Sequence, residues 1–444
     1  MLHFKTYRWV LLGIIAILYF FVCLQRLSPS VVARDLALAL HADAVLLGII
    51  ASAYFYLYSA MQPVVGYLSD TKGPRKVMAL SFLIAAAGTI LFGMAPNATA
   101  AIVGRTLIGA GLAGVFIPAL KVFSRWYRPD QFAGLTGIMI TIGGIGGLSA
   151  ALPLTYLVVL LGWRGAFLAI GLLSAVLAVL AWFIVRDSPE DRGWPPLMAQ
   201  GGGGAVPETK MGEIGLSKRL GTVFGDLDFW LISIASFLAF GASLSFQGLW
   251  AVPYLMDVFH LDRVRAGWVL TAMPLGFSIG GPAVGFLADR LHLNRKKVLL
   301  WAIGLSILGW LLLMAFQDLG YLVPVVPLFF FFGLAAGGML PLFFTITRDI
   351  FPLWLMGTAT GLMNTSAFFG TAVYQPFTGL LLNDAASTQP GSYSFDAYRM
   401  LLIVYLISYG GAFLAMCFLS KRGVRPPSGG AAETGRHPVQ PGTE

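Results

Sequence analysis

Arg26 stands in a stretch, residues 9–33, that carries no other charge. A guanidinium does not deprotonate inside a protein, so an apolar helix holding one must offer it a carboxylate, a phosphate or strong dipoles. The chemistry this suggests is recognition of an anion through parallel N–H donors. An arginine within a membrane segment that faces a cavity is a functional candidate by default. The bland alternative is that Arg26, about 17 residues beyond Arg8, lies at the outer interface and snorkels to water. No Asp or Glu sits near mid-depth of the apolar segments, so an internal counter-charge is not evident.

Other polar and aromatic residues recur at helical spacing. Tyr54, Tyr58 and Gln62 fall at i, i+4 and i+8; Gln247, Trp250 and Tyr254 at i, i+3 and i+7; Asn364, Phe368, Thr371 and Gln375 at i, i+4, i+7 and i+11. Each series occupies one helix face. A face turned to lipid would not carry Gln and Asn, because a buried amide without partners costs several kcal/mol in hydrocarbon. The faces read as cavity walls, with hydrogen bonding between helices as the alternative. For Trp250 and Tyr254 an interfacial aromatic belt is a further alternative. The cavity residues expected to touch a substrate are Arg26, Tyr54, Tyr58, Gln62, Thr141, Gln247, Trp250, Asn364, Thr371 and Gln375.

Enzymatic chemistry finds little support. The five histidines lie in termini or loops, so no metal cluster is expected. The glycine-rich runs sit inside apolar segments rather than between a strand and a helix, so they do not cradle phosphates. No cofactor is expected. Cys23 and Cys417 both fall in apolar segments and read as buried thiols rather than a disulfide pair.

The elements that must position these residues are membrane helices. Residues are 57% hydrophobic and only 11% charged, about half the charged share of a soluble domain. Uncharged runs of 17 residues or more, enough to cross roughly 30 Å of hydrocarbon, recur along the chain. They predict twelve spans at 9–33, 45–68, 77–95, 99–123, 133–160, 164–185, 227–255, 266–288, 298–316, 321–346, 357–382 and 398–420. The runs are continuous rather than alternating, which excludes a barrel. With the N-terminus inside, roughly 22 of the 29 Lys and Arg fall on inner segments, so both termini are expected in the cytoplasm of a multi-pass protein of the cytoplasmic (inner) membrane. That asymmetry accounts for the net charge of +9, and nucleic-acid binding is not needed to explain it.

The organisation predicted is a six-span bundle over 1–185, a Pro/Gly-rich cytoplasmic linker over 186–225, a second bundle over 226–420 and a disordered cytoplasmic tail over 421–444. Lys5 and Arg8 before an apolar run mimic a signal peptide, but without a small-residue cleavage site the run reads as an uncleaved first span. A repeat joins the halves. Gly66, Asp70, Gly73, Arg75 and Lys76 lie between spans 2 and 3, and Gly285, Asp289, Arg290 and Arg295 lie about 219 residues further on, between spans 8 and 9. Two six-helix halves with matching loops suit a transporter built on pseudo-symmetric repeats.

These loops resemble the signature of the major facilitator superfamily, and the resemblance covers nearly the whole chain. Span 4 opens on Gly104-Arg-Thr-Leu-Ile-Gly-Ala-Gly111, similar to the family's arginine-containing motif, and Arg125-Trp-Tyr-Arg-Pro129 resembles its following loop. Arg26 to Leu36, with Gly48, Ala53-Tyr-Phe-Tyr56 and Gln62-Pro63, is similar to the anion:cation symporter and organophosphate antiporter branches. In those branches an arginine at this place binds the substrate anion. Gln25 departs from the acid common in the symporter branch, and Leu148 replaces the proline of the drug-antiporter signature after Gly143 and Gly147.

The resemblance implies an all-α integral membrane protein, twelve helices in two pseudo-symmetric bundles, working as a secondary active transporter by alternating access. The favoured cargo is a small organic anion, a carboxylate or phosphate, with proton or sodium as coupling ion and a monomer as the default state. Amino acids, peptides, sugars or drugs are the alternative cargoes, and a membrane receptor or enzyme the remote one. Arg105 and the loop residues Gly66, Asp70, Gly73, Arg75, Lys76, Gly285, Asp289, Arg290 and Arg295 are expected to gate the conformational change.

Overall fold

The computed structural model describes residues 4–195, 216–290, 293–383 and 391–420; the side chains of 129, 130, 133, 216, 217, 285–289, 353 and 354 are outside the description. The described residues fold into seventeen α-helices. In chain order they are α1 (Phe4–Leu27), α2 (Pro29–Leu40), α3 (Ala44–Lys72), α4 (Pro74–Gly93), α5 (Ala98–Leu112), α6 (Phe116–Trp126), α7 (Pro129–Ser149), α8 (Leu152–Ile184) and α9 (Leu216–Phe224). The second half holds α10 (Leu227–Ser245), α11 (Ala251–Val258), α12 (Arg263–Leu270), α13 (Ala272–Arg290), α14 (Arg295–Leu319), α15 (Val325–Ile350), α16 (Leu353–Asn383) and α17 (Phe395–Phe418).

Ten helical segments are long and apolar enough to cross a membrane, and Gly134–Ser149 is a shorter apolar one. The remaining span, eleventh in chain order, is α16, whose polar face of Asn364, Thr371 and Gln375 dilutes its hydropathy. Side-chain caps fix many helix starts. Asp43 accepts from Leu46 N–H at 2.8 Å, Asn97 from Ala100 N–H at 2.9 Å and Asp226 from Phe229 N–H at 3.1 Å, satisfying donors that a helix start leaves orphaned.

Three spans differ from the uniform helices the hydropathy predicts. The first runs on to Leu40 and breaks at Ser28, before Pro29, which cannot donate to the preceding turn. The boundary between the fifth and sixth spans is a single backbone break at Gly162 (φ 69°), so Leu152–Leu161 extends span 5 inside α8. The seventh carries a π-helical turn at Phe246–Trp250 between α10 and α11. Breaks in spans 1 and 7 fall at corresponding places of the two halves, and π turns often accompany functional sites.

The linker is more ordered at its ends than its composition suggests. Trp194 packs on Phe4, Tyr7 and Trp126 of the first bundle, with ring centroids 5.3–6.0 Å apart, and Leu216–Phe224 forms a helix that touches α10 and α16. Residues 196–215 of the linker and the tail from 421 lie outside the described residues.

The inner end is taken as the one bearing Asp70 and Arg295. At the outer end the two bundles close on each other. Arg263 pairs with Asp35 through two contacts of 2.7 and 2.8 Å, and Val252 N–H donates to Ser30 Oγ at 3.1 Å. Helices α3 and α16 cross backbone to backbone there, since a Cβ on Gly48 would lie 2.4 Å from the Gln375 carbonyl oxygen. At the inner end the described ion pairs Lys121–Asp70 and Arg295–Asp349 each join helices of one bundle. A Cβ on Gly66 or Gly361 would meet nothing within 4 Å. The described polar contacts between the bundles therefore lie at the end taken as outer.

Candidate functional site

Arg26 ends α1, with the twelve residues of α2 still beyond it on the outer side. Its guanidinium carbon lies 5.0 Å from the centroid of the Tyr58 ring and 4.7 Å from that of Phe368, so one wall comes from each bundle. Nε and Nη2 are buried without a hydrogen-bond partner. Stacking of this kind is worth about 2 kcal/mol when desolvated. Burying a charge costs several kcal/mol, so two rings alone do not offset it.

The neighbour that sequence reasoning assigned to gating belongs to the same cluster. Arg105 is fully buried, and its Nη1 donates to the Gln25 carbonyl oxygen at 3.0 Å, next to Arg26. Its guanidinium carbon lies 5.0 Å from the Tyr54 ring centroid, and its Nε and Nη2 have no partner. A glycine one turn on makes this possible. A Cβ on Gly109 would sit 2.1 Å from the Tyr54 carbonyl oxygen, so α5 approaches α3 closely enough to lay Arg105 on that ring. Tyr54 and Tyr58 stack at 5.5 Å, and the Tyr54 hydroxyl is itself buried and unpartnered. Arg26 and Arg105 thus each keep free donors beside one ring of the Tyr54–Tyr58 stack, and no described carboxylate pairs with either arginine.

Span 1 is anchored by neutral groups. Thr89 Oγ1 donates to Gln25 Oε1 at 2.6 Å, and Gln25 Nε2 donates to Ser174 Oγ at 3.4 Å. The Gln25 amide therefore ties three spans together.

Facing this cluster, Gln375 of α16 is wholly buried, with neither Oε1 nor Nε2 hydrogen-bonded. A Cβ on Gly248 would lie 3.7 Å from Gln375 Nε2 and 3.9 Å from the Arg26 carbonyl oxygen, which places the amide beside the first span. Thr371, one turn before, is buried with its hydroxyl free, and Gln247 sits in the π turn at 9% exposure. Asn364 is half-buried nearer the inner end, and Gln62, buried on α3, has a free Nε2. Two residues stand apart. The Trp250 indole N–H donates to Thr378 Oγ1 at 2.8 Å inside the second bundle, and Thr141 is exposed with its hydroxyl donating to the Gly137 carbonyl oxygen at 3.0 Å.

Tyr19 and Cys23 were passed over, although with Arg26 they fall at i, i+4 and i+7. Both meet the space that a Cβ on Gly143 would fill, Tyr19 at 2.4 Å and Cys23 Sγ at 3.1 Å. Of the glycines in this span, Gly143 and Gly146 receive α1, Gly144 faces Ser278 of α13, and Gly147 lies between Leu27 of α1 and Pro274 of α13.

Of the loop residues, Asp70 pairs with Lys121, which also donates to the Ser69 carbonyl oxygen at 3.0 Å. Gly73 takes φ 86° and leaves room for Asp187, whose Oδ1 accepts from Arg75 N–H at 2.6 Å. Arg75 Nε reaches the Trp182 carbonyl oxygen at 2.8 Å, and Lys76 is exposed. In the second half Arg295 pairs with Asp349 at 2.6 Å and Arg290 is exposed; the side chains of Gly285 and Asp289 are outside the description.

Twelve helices in two bundles around a polar interior define a multi-pass membrane transporter, not an enzyme. The sequence model of the Major Facilitator Superfamily matches residues 15–252 and 237–443, and the chain belongs to that family. It is 28% identical to a probable sulfoacetate transporter of Cupriavidus necator, over 82% of this chain and 84% of that one. A probable hexose phosphate transport protein of Chlamydia pneumoniae is 25% identical over 66% and 67% of the respective chains. In fold, a bacterial homologue of the human lysosomal transporter Spinster, solved inward-facing and unoccupied, superposes with a TM-score of 0.67 at 20% identity, covering 94% of this chain and 96% of that one.

Proposed function

We propose that this protein is a secondary transporter that carries a small organic anion across the cytoplasmic membrane by alternating access, with both termini in the cytoplasm. The observation that carries the reading is the pair of buried guanidinium groups, Arg26 and Arg105, whose Nε and Nη2 atoms lack partners. A carboxylate, sulfonate or phosphate would supply the missing charge and acceptors together. The relatives named for sulfoacetate and hexose phosphate carry anions, which supports the same class. A ligand that binds only the folded state raises its melting temperature by mass action. Thermal shift of the purified protein against carboxylates, sulfonates, phosphates, neutral sugars and amino acids should give stabilisation within the anionic set. Stabilisation by neutral solutes alone would overturn the reading.

The inner-end pair Asp70–Lys121 is proposed to bias the two access states. Asp70→Asn should slow uptake by up to about 5-fold while substrate affinity stays near wild type, because a largely exposed ion pair contributes about 0.2–1 kcal/mol and its loss in one state shifts populations by that order. Asp289→Asn, at the repeat position, should act in the same sense. Initial uptake rates in proteoliposomes, paired with binding to the detergent-solubilised protein, check both. Unchanged uptake in the two variants would remove the gating role.

A further inference from the structure

The interior is electrically one-sided. Among the described residues, Arg105, which is fully buried, and Arg26, whose Nε and Nη2 are buried, both come from the first bundle, on α5 and α1. The second bundle answers with neutral groups: the Gln375 amide, free at both ends and wholly buried, and the free Thr371 hydroxyl one turn away on α16. Phe368, two turns before Gln375 on the same helix, packs against Arg26. The described cationic residues of the second bundle lie towards its ends, with Arg263 bound to Asp35 and Arg295 bound to Asp349.

From this we infer that the substrate has one compact anionic head and a short neutral far end carrying a hydrogen-bonding group, and that Gln375 reads that far end. The inference rests on the anion reading proposed above and sharpens it. A buried amide with no partner is costly, and one hydroxyl, which both donates and accepts, would satisfy an Oε1 and an Nε2 in one contact. A molecule with an anionic group at each end would bring its second charge against an uncharged, desolvated wall. No cation there offsets the loss of water, so such a molecule is excluded. Discrimination of this kind comes from polar groups left unpaired, which separate substrates far better than a difference of one methylene does.

The experiment measures affinity for three probe sets of matched chain length, from two to six carbons: ω-hydroxycarboxylates, unsubstituted monocarboxylates and dicarboxylates. Each is competed against the best anion of the thermal-shift panel in the wild type, Gln375→Leu and Gln375→Arg. The wild type should prefer the hydroxy acid to its unsubstituted partner by about tenfold, the order set by one hydrogen bond, and should reject the dicarboxylate. Gln375→Leu should bring the first two within about twofold of each other. Gln375→Arg should reverse the order and admit the dicarboxylate. That gain of binding cannot arise from misfolding. Equal binding of hydroxy acids and dicarboxylates by the wild type, or an unchanged ratio in Gln375→Leu, would overturn the role of Gln375 with the anion site intact. A wild type that binds none of the three sets, nor any anion of the panel, would overturn the anion reading and this inference with it.

Discussion

Arg26→Ala is expected to abolish both uptake and ligand-induced stabilisation while the protein still folds. The guanidinium lies over the adjoining rings of Tyr58 and Phe368 with Nε and Nη2 buried and unpartnered. Removing a charge that has no internal partner relieves a desolvation cost, so the unliganded variant should melt no lower than the wild type. The loss appears only when substrate is added. A charge-assisted pair in a low-dielectric cavity contributes upwards of roughly 2 kcal/mol, more than tenfold in affinity. Arg26→Lys should rescue poorly, because an ammonium keeps the charge but loses the planar fork and its stacking on two rings. An arginine that merely reaches for the interface predicts the reverse: Lys substitutes fully and Ala leaves binding near normal. Affinity and melting temperature for the three proteins decide between them, and near-equal affinities would remove Arg26 from the site.

Much of the architecture was legible because hydrocarbon imposes a simple rule: every backbone group must be satisfied within a long apolar helix. The length of each uncharged run therefore gave the spans to within a few residues. The breaks were harder to see. Pro29 signals the one in span 1, but Gly162 is one glycine among many, and the π turn at Phe246–Trp250 leaves no mark in the hydropathy. In the interior, helical spacing groups Tyr54 with Tyr58, which stack on each other, because one helix decides it. What it could not find are features made by two helices meeting. Arg105 reads as a signature residue until Gly109 is seen to let α5 settle against Tyr54. Trp250 has the spacing of a cavity residue, yet its indole is taken up by Thr378 on another span. The pairing of Asp70 with Lys121 spans 51 positions in sequence, and no local period encodes it.

The second large effect concerns the outer seal. The alternating access proposed above requires α3 and α16 to part at the outer end in one state and to cross in the other. In the crossed state a Cβ on Gly48 would lie 2.4 Å from the Gln375 carbonyl oxygen and 2.7 Å from Pro376 Cα, both backbone atoms that no rotamer change can move. Gly48→Ala should therefore penalise this state by about 1–3 kcal/mol, the usual cost of forcing a methyl into a packed contact. The clash is between bundles, not within one, so each bundle should fold as before. Populations then move towards the outward-open form by about 5- to 150-fold, and uptake falls accordingly. Val252, 2% exposed at the sealed contact, reports the change when replaced by cysteine in a background lacking Cys23 and Cys417. A membrane-impermeant thiol reagent added from outside should label Val252→Cys slowly alone and rapidly when combined with Gly48→Ala. Gly13→Ala, where an added Cβ meets nothing within 4 Å, is the control and should change neither labelling nor uptake. Slow labelling and wild-type uptake in the Gly48→Ala protein would mean that this crossing is not the seal.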